Sequence, residues 1–255
     1  MYNIFFSIDM NDAIIIHALI NSIISNTDKI SELRLNFLLD SNTTEEYIDD
    51  MMKTMFSTTM YSTNVLNNID TMFINNNIRI KGPQYLHNTM NFARFWLPIY
   101  FPDVDFGLYL DSDMIVLSDI KDLFEYCLFK DSPFWAVKVR EDRKGSKRFN
   151  AGMYCFDCNY WKHNNITTKC KDIMIEHKNS TDGLFELGTQ PILNIIFNTY
   201  GNLPTKWHVQ HLGYETNIDK KIINDACLLH WNGHKKPWKN DGLYKEFWNK
   251  YNSKI

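Results

Sequence analysis

The apolar and polar positions of the first half alternate between strand and helix patterns. Residues 2–9, Tyr2-Asn3-Ile4-Phe5-Phe6-Ser7-Ile8-Asp9, read as a buried strand. Residues 12–25 place Ile15, Ala18, Leu19 and Ser22 on one helical face. Residues 32–40 set Leu33, Leu35 and Phe37 against Arg34 and Asn36, which predicts a strand. Thr43-Thr44-Glu45-Glu46 is a capping-type start for a helix over 43–56. Residues 88–101 predict an apolar helix holding one charge, Arg94. An apolar run over 107–110 then meets Asp111-Ser112-Asp113, and a second apolar run leaves. This strand–helix alternation implies an α/β fold with a mainly parallel, doubly wound (Rossmann-like) sheet. The second half is less regular, with strands predicted at 134–139 and 153–156 and helices at 166–178, 190–199 and 242–251. Between the two strands, residues 140–148 are charged and largely basic. They read as a solvated loop, or as a lid bringing cations to a phosphate. There is no repeat or long linker, so residues 1–255 read as a single domain.

Composition narrows the classes. A net charge of −3 gives no electrostatic case for a nucleic-acid partner. No apolar run approaches the about 20 residues of a membrane span, and the first residues lack the charged start of a signal peptide. The five cysteines are scattered, which reads as reduced thiols and a cytoplasmic location. Cys155-Phe156-Asp157-Cys158 has no second pair at zinc-site spacing and is read as structural.

The chemistry centres on Asp111 and Asp113. Residues i and i+2 of an extended chain face the same way, so both carboxylates can reach one object. A divalent cation offsets their repulsion, and Mn²⁺ or Mg²⁺ held by few carboxylates completes its shell with phosphate oxygens and water. Asp and Ser also form turns, so the motif alone leaves both readings open. A second constellation follows at Leu228-Leu229-His230-Trp231-Asn232-Gly233-His234-Lys235-Lys236-Pro237-Trp238. His230 is a natural third metal ligand. Gly233 lets a backbone N–H approach a phosphate, and Lys236 supplies a point charge. A lone histidine at a strand end is often structural, and only its conjunction with Gly233 and Lys236 favours a ligand.

Five ordered segments together resemble the family 8 glycosyltransferases, the group of bacterial lipopolysaccharide hexosyltransferases, glycogenin and plant galacturonosyltransferases. They are Phe6-Ser7-Ile8-Asp9-Met10-Asn11, Phe92-Ala93-Arg94-Phe95, Leu110-Asp111-Ser112-Asp113, Phe149-Asn150-Ala151-Gly152, and His230 to Gly233 with Lys236-Pro237-Trp238. The resemblance implies a GT-A fold with a smaller mixed acceptor-side region, residues 1–117 forming the nucleotide half and 118–255 the sugar and acceptor half. It implies a UDP-sugar donor, Mn²⁺ or Mg²⁺ on Asp111, Asp113 and His230, and transfer with retention. It assigns Ser7, Asp9, Asn11, Arg94, Asp111, Ser112, Asp113, Gly233 and Lys236 to the bound nucleotide and its metal. Asn150, Gln190 and Lys236 fall at the reacting sugar.

Three departures bear on this. Asp12 stands where the family often has an aromatic residue stacked on uracil. The acids that commonly flank Gln190 are replaced in Gly188-Thr189-Gln190-Pro191. Val139 falls near a family Asp, with Asp142 as a candidate substitute. With no acid beside Gln190 to act as nucleophile, front-face attack by the acceptor is the expected route. The alternatives are a UDP-binding protein with little transfer, a self-glycosylating primer using a tyrosine such as Tyr160 or Tyr214, and a haloacid-dehalogenase-type phosphatase. The last usually carries its Asp-x-Asp at the start of the chain. A symmetric dimer is the default assembly expected, and the acceptor is not legible.

Overall fold

The computed structural model describes residues 1–67, 69–79, 88–129, 131–139, 148–179 and 188–252. Its sheet begins with β1 (Tyr2–Ile8), apolar on both faces: Ile4, Phe6 and Ile8 enter one core cluster, and Phe5 the opposite one. That alternation fits a strand covered by helices on both sides. β2 (Leu33–Leu39) and β3 (Met60–Val65) follow outward, and β4 (Phe106–Leu110) returns to the other flank of β1. Beyond β4 lie β7 (Phe149–Asp157), β6 (Phe134–Lys138) and the two-residue β8 (Gly201–Asn202). The order is β3-β2-β1-β4-β7-β6-β8, and β7 alone runs against its neighbours. The mainly parallel sheet expected from the sequence is present. Its direction of growth reverses between β1 and β4, the crevice where open α/β sheets bind ligands.

One face is packed by α1 (Met10–Ile15), α2 (His17–Ser25), α3 (Asn42–Met55) and α6 (Ile120–Leu128). The other carries α4 (Ile69–Asn75), α5 (Leu97–Tyr100), α7 (Cys158–His163), α8 (Ile166–Glu176) and α9 (Gln190–Ile196). A separate two-stranded sheet pairs β5 (Met114–Val116) with β9 (Leu228–His230), antiparallel. It is backed by α10 (Lys220–Asn224) and α11 (Lys245–Asn249), with Trp231 and Trp248 edge-to-face at 5.8 Å. The five cysteines are free and buried, and no described helix is long and apolar enough to cross a membrane.

Several boundaries differ from the sequence expectation. The helix expected over 12–25 starts at Met10, because Asp9 caps it by accepting the Asp12 N–H at 2.9 Å, and it breaks at Ile16. The helix expected over 43–56 is capped earlier, by Ser41. The helix expected over 88–101 is instead a 3₁₀ helix, Thr89–Trp96, followed by α5 with Pro98 in its first turn. Proline has no N–H to continue a helix and disfavours helical backbone before it. The C-terminal helix spans only Lys245–Asn249, preceded by Tyr244 at a φ of 50°. β3 and α4 were not anticipated. Residues 140–147 of the basic segment, Asp142 among them, lie outside the described residues.

Trp231 is fully buried and donates its indole N–H to Leu243 O at 2.7 Å. Trp231→Ala is expected to cost about 3–5 kcal/mol in urea unfolding. Ile195→Ala, at a half-exposed position, should stay within about 0.5 kcal/mol.

Candidate active site

At the β1/β4 switch point the chain encloses a cleft of about 350 Å³. β4 ends at Leu110, and Asp111 continues its pairing with β7 through its N–H to Gly152 O at 2.9 Å. Asp113 precedes β5. Met114 sits opposite His230 in the β5–β9 register, and the Trp231 N–H donates to Asp113 O at 3.0 Å. This pairing delivers a C-terminal histidine to the two acids. Ser112, between them, turns the other way and donates to Asp12 Oδ1 at 2.5 Å.

Each acid is held by one cation. Arg94 donates to Asp111 Oδ1 at 2.9 Å, to Ala151 O at 2.8 Å and, through Nε, to Asn91 O at 2.9 Å. Its guanidinium lies 4.3 Å above the Tyr109 ring. The 3₁₀ geometry matters here, because it eclipses residues three apart and brings Asn91 under Arg94. Burial alone would lower the guanidinium pKa, but Asp111 outweighs it and holds the group above its ordinary value. Lys236 donates to Asp113 Oδ2 and to Trp231 O. Burial would raise the Asp113 pKa, but Lys236 and then His230 hold it well below the carboxylate range.

The remaining oxygens, Asp111 Oδ2 and Asp113 Oδ1, lie 4.0 and 3.1 Å from His230 Nε2. The three ligand atoms of this cluster fall within 4.8 Å of one another. Two carboxylate oxygens and one imidazole nitrogen suit Mn²⁺ or Mg²⁺ with positions left for other oxygens. The space around them is reserved by Gly152: a Cβ there would sit 2.5 Å from His230 Cε1 and 2.7 Å from Asp111 Oδ2.

Behind the acids, Tyr109 donates to Asp111 Oδ1 at 3.0 Å and meets Ser7 Oγ at 3.0 Å. On the far side, Gln190 accepts the Ala151 N–H at 3.3 Å, and Asn150 accepts the Gly152 N–H at 2.9 Å. Gly233, at a φ of +127°, passes so close to Gly213 that its own Cβ would lie 2.7 Å from the Gly213 carbonyl. His230 Nδ1 meets His208 Nε2 at 2.8 Å, and burial lowers the His208 pKa well below the ordinary histidine value.

The cleft thus gathers Ser7, Arg94, Asp111, Ser112, Asp113, Asn150, Gln190, His230, Gly233 and Lys236 of the residues expected from sequence. Asp9 and Asn11 do not line it. Asp9 caps α1, and its other oxygen accepts from Asn11 at 3.2 Å and from Asn88. Tyr109, Gly152 and His208 were missed. Tyr109 shares a strand face with Asp111, so alternation could have found it. His208 carried no local signal. Val139 binds Arg148 O through its N–H at 2.9 Å and does not line the cleft.

Two tests follow from this geometry. Gly152→Ala is expected to keep the fold by circular dichroism and to weaken Mn²⁺-dependent thermal stabilisation about 10–100-fold in metal concentration, the range for groups touching metal ligands. Asp12 is half-buried as a residue, but its carboxyl is desolvated and pushed up to about 7, with Asp9, Asp113 and Asp111 acting in the same direction. Its folded pKa lies above its unfolded one, so the stability this proton adds is complete below about pH 4 and is lost as pH rises through about 7. In chelator, the Tm of Asp12→Asn relative to the native chain is expected to climb between pH 4 and 8.

The sequence model of "Glycosyl transferase family 8" matches residues 3–242. Among curated relatives, glycosyltransferase 8 domain-containing protein 1 of Danio rerio is 27% identical over 64% of this chain and 55% of its own length. The Arabidopsis thaliana probable galacturonosyltransferase 4 is 34% identical over 69% of this chain and 32% of its own. The chain therefore spans about half or less of these two relatives. Among solved structures, the galactosyltransferase LgtC, in complex with donor and acceptor sugar analogues, superposes with a TM-score of 0.76. It is 18% identical, with 98% of this chain and 95% of that one covered. GlyE of Streptococcus pneumoniae TIGR4 gives 0.72 at 24% identity, covering all of this chain and 62% of that one. The fold is the GT-A fold of these enzymes, and with a family match spanning almost its whole length the chain belongs to glycosyl transferase family 8.

Proposed function

We propose that the chain transfers a hexose from a UDP-sugar to an acceptor hydroxyl, with retention at the anomeric carbon. One observation carries the reading: two carboxylates and an imidazole converge in a cleft that also holds Arg94 and Lys236. Asp111, Asp113 and His230 would hold a divalent cation, Mn²⁺ or Mg²⁺, which would supply Lewis-acid stabilisation of the departing diphosphate. Lys236 and the Gly233 N–H donate to that diphosphate where charge develops, and Arg94 holds Asp111 in place. Ser7, Asp9, Asn11 and Ser112 serve the nucleoside end, by movement or relayed hydrogen bonds where they do not line the cleft.

Asn150 and Gln190 position the sugar. The Gln190 amide oxygen is tied to the Ala151 N–H, and its neighbours Gly188, Thr189 and Pro191 carry no acid. A neutral amide so held is a poor nucleophile, which favours front-face attack. The acceptor oxygen bonds the anomeric carbon, the bond to the phosphate oxygen breaks, and the acceptor proton passes to that oxygen. The chain then acts as one domain, with residues 1–117 for the nucleotide and 118–255 for sugar and acceptor. Five buried free thiols accord with a cytoplasmic location, and a homodimer is the simplest assembly.

A panel of UDP and UDP-hexoses, each with and without Mn²⁺, tests this. A metal-dependent thermal shift is expected for UDP and lost in Asp113→Ala, whose turnover should fall about 10²–10³-fold. NMR of the product should show the donor's anomeric configuration. A covalent sugar adduct on the protein would overturn the front-face route. Binding without transfer would favour a UDP-holding role, and added hexose mass after incubation with donor alone would favour a self-glycosylating one.

A further inference from the structure

His230 faces the two acids with Nε2 and turns Nδ1 inward to His208. The rings lie 5.0 Å apart between centroids at 23°, and both are buried. The main chain sets this juxtaposition: Val209 bridges Leu229 in parallel, and the His230 N–H donates to Val209 O at 2.9 Å. Behind the pair, His208 Nδ1 has no hydrogen-bond partner among the described residues. Neither has Gln210 Oε1, two residues along the same segment, although the Gln210 amide nitrogen donates to Lys138 O at 3.3 Å. Two unpartnered polar atoms this deeply buried call for a physical reason.

A neutral imidazole carries one N–H, and a nitrogen–nitrogen contact holds one proton. With each ring neutral, only two arrangements satisfy the 2.8 Å contact. In the first, His208 Nε2–H donates to His230 Nδ1, and His230 keeps its own proton on Nε2, where Asp113 Oδ1 accepts it at 3.1 Å. His208 Nδ1 is then a bare, unpartnered lone pair. In the second, His230 Nδ1–H donates to His208 Nε2, and the His230 Nε2 lone pair is free to point at a cation. His208 then bears its proton on Nδ1, for which Gln210 Oε1, likewise unpartnered, would be the acceptor through one buried water. Only the second arrangement permits metal ligation.

We propose that His208 is a positioning residue that sets the tautomer of His230, the two rings switching together from the first arrangement to the second when a divalent cation is taken up. The proposal rests on the metal reading of the same cluster. The protons balance without change of charge on either ring. The proton on His208 Nε2 crosses to His230 Nδ1, the one on His230 Nε2 leaves, and one is taken at His208 Nδ1. Gln210 completes the chain as the outer acceptor. A metal-bound histidine that donates its other N–H has its orientation fixed and its basicity raised, and loss of such a partner typically costs 10–100-fold in affinity.

The experiment uses the full chain. Histidine ¹⁵N NMR of the native protein, before and after Mg²⁺ is added with UDP present, reads the tautomers without any substitution. Both rings are expected to move from Nε2–H to Nδ1–H. Rings that keep their tautomer while Mg²⁺ binds would overturn the proposal. In parallel, Mn²⁺ binding is followed by electron paramagnetic resonance, alone and with UDP, for the native chain, His208→Phe and His208→Gln. His208→Phe should bind about 10–100-fold more weakly. His208→Gln should recover most of the loss, because its amide oxygen can accept the His230 Nδ1–H. Equal weakening in both variants would mark His208 as packing only, and native affinity in His208→Phe would remove it from the site. Absence of Mn²⁺ binding by the native chain, matching Asp113→Ala, would instead overturn the metal reading on which this one stands.

Discussion

Two carboxylates one residue apart repel each other most strongly where water is scarce, and the rest of the site is arranged around that repulsion. Arg94, buried at the cleft wall, takes one oxygen of Asp111. Lys236, 123 residues from Asp113 in sequence, takes one oxygen of that acid. Each cation leaves the second oxygen of its partner turned toward His230. Removing one member of such a buried pair typically costs about 3–5 kcal/mol, because the other charge is stranded. The acids therefore fix where both cations must be, and the cations in turn fix which oxygens remain available for chemistry.

The sheet supplies the precision. β1 and β4 end side by side at the point where strand order reverses, so Ser7 and Asp111 emerge at one crevice. Asp9 caps the helix that leaves β1, and that helix carries Asp12 back to Ser112. The 3₁₀ turn holding Arg94 places its guanidinium between the Tyr109 ring and the Asp111 carboxylate. A rigid scaffold of this kind holds the polar groups of the cleft in one orientation.

Much of this was legible in the sequence where the signal is local. β1 and β4 show as apolar runs because helices bury both their faces, β2 shows as an alternation of Leu33, Leu35 and Phe37 with Arg34 and Asn36, and Asp111 with Asp113 shows as two acids sharing a strand side. The resemblance supplied the roles of Asn150, Gln190 and Arg94, which no local pattern reveals. What stayed hidden depends on contacts between distant segments. β3 is half-buried and polar at Ser62, Thr63 and Asn64, so its burial pattern is faint. The helix break at Ile16 carried no local signal. The pairing of β5 with β9, and the meeting of His208 with His230, exist only once the C-terminal third has folded onto the middle of the chain.

That pairing gives the chain a timetable. Residues 114–116 leave the ribosome long before 228–230, and until then β5 presents an unpaired edge beside two acids lacking Lys236 and His230. Domains fold as units, and synthesis proceeds at about 5–20 residues per second. For several seconds a nascent chain of this protein therefore carries β5 and the two acids without the residues that pair with them. An open strand edge of that kind is a template for wrong partners. Pairing of β9 with β5 closes that edge and brings His230 to the two acids in the same step.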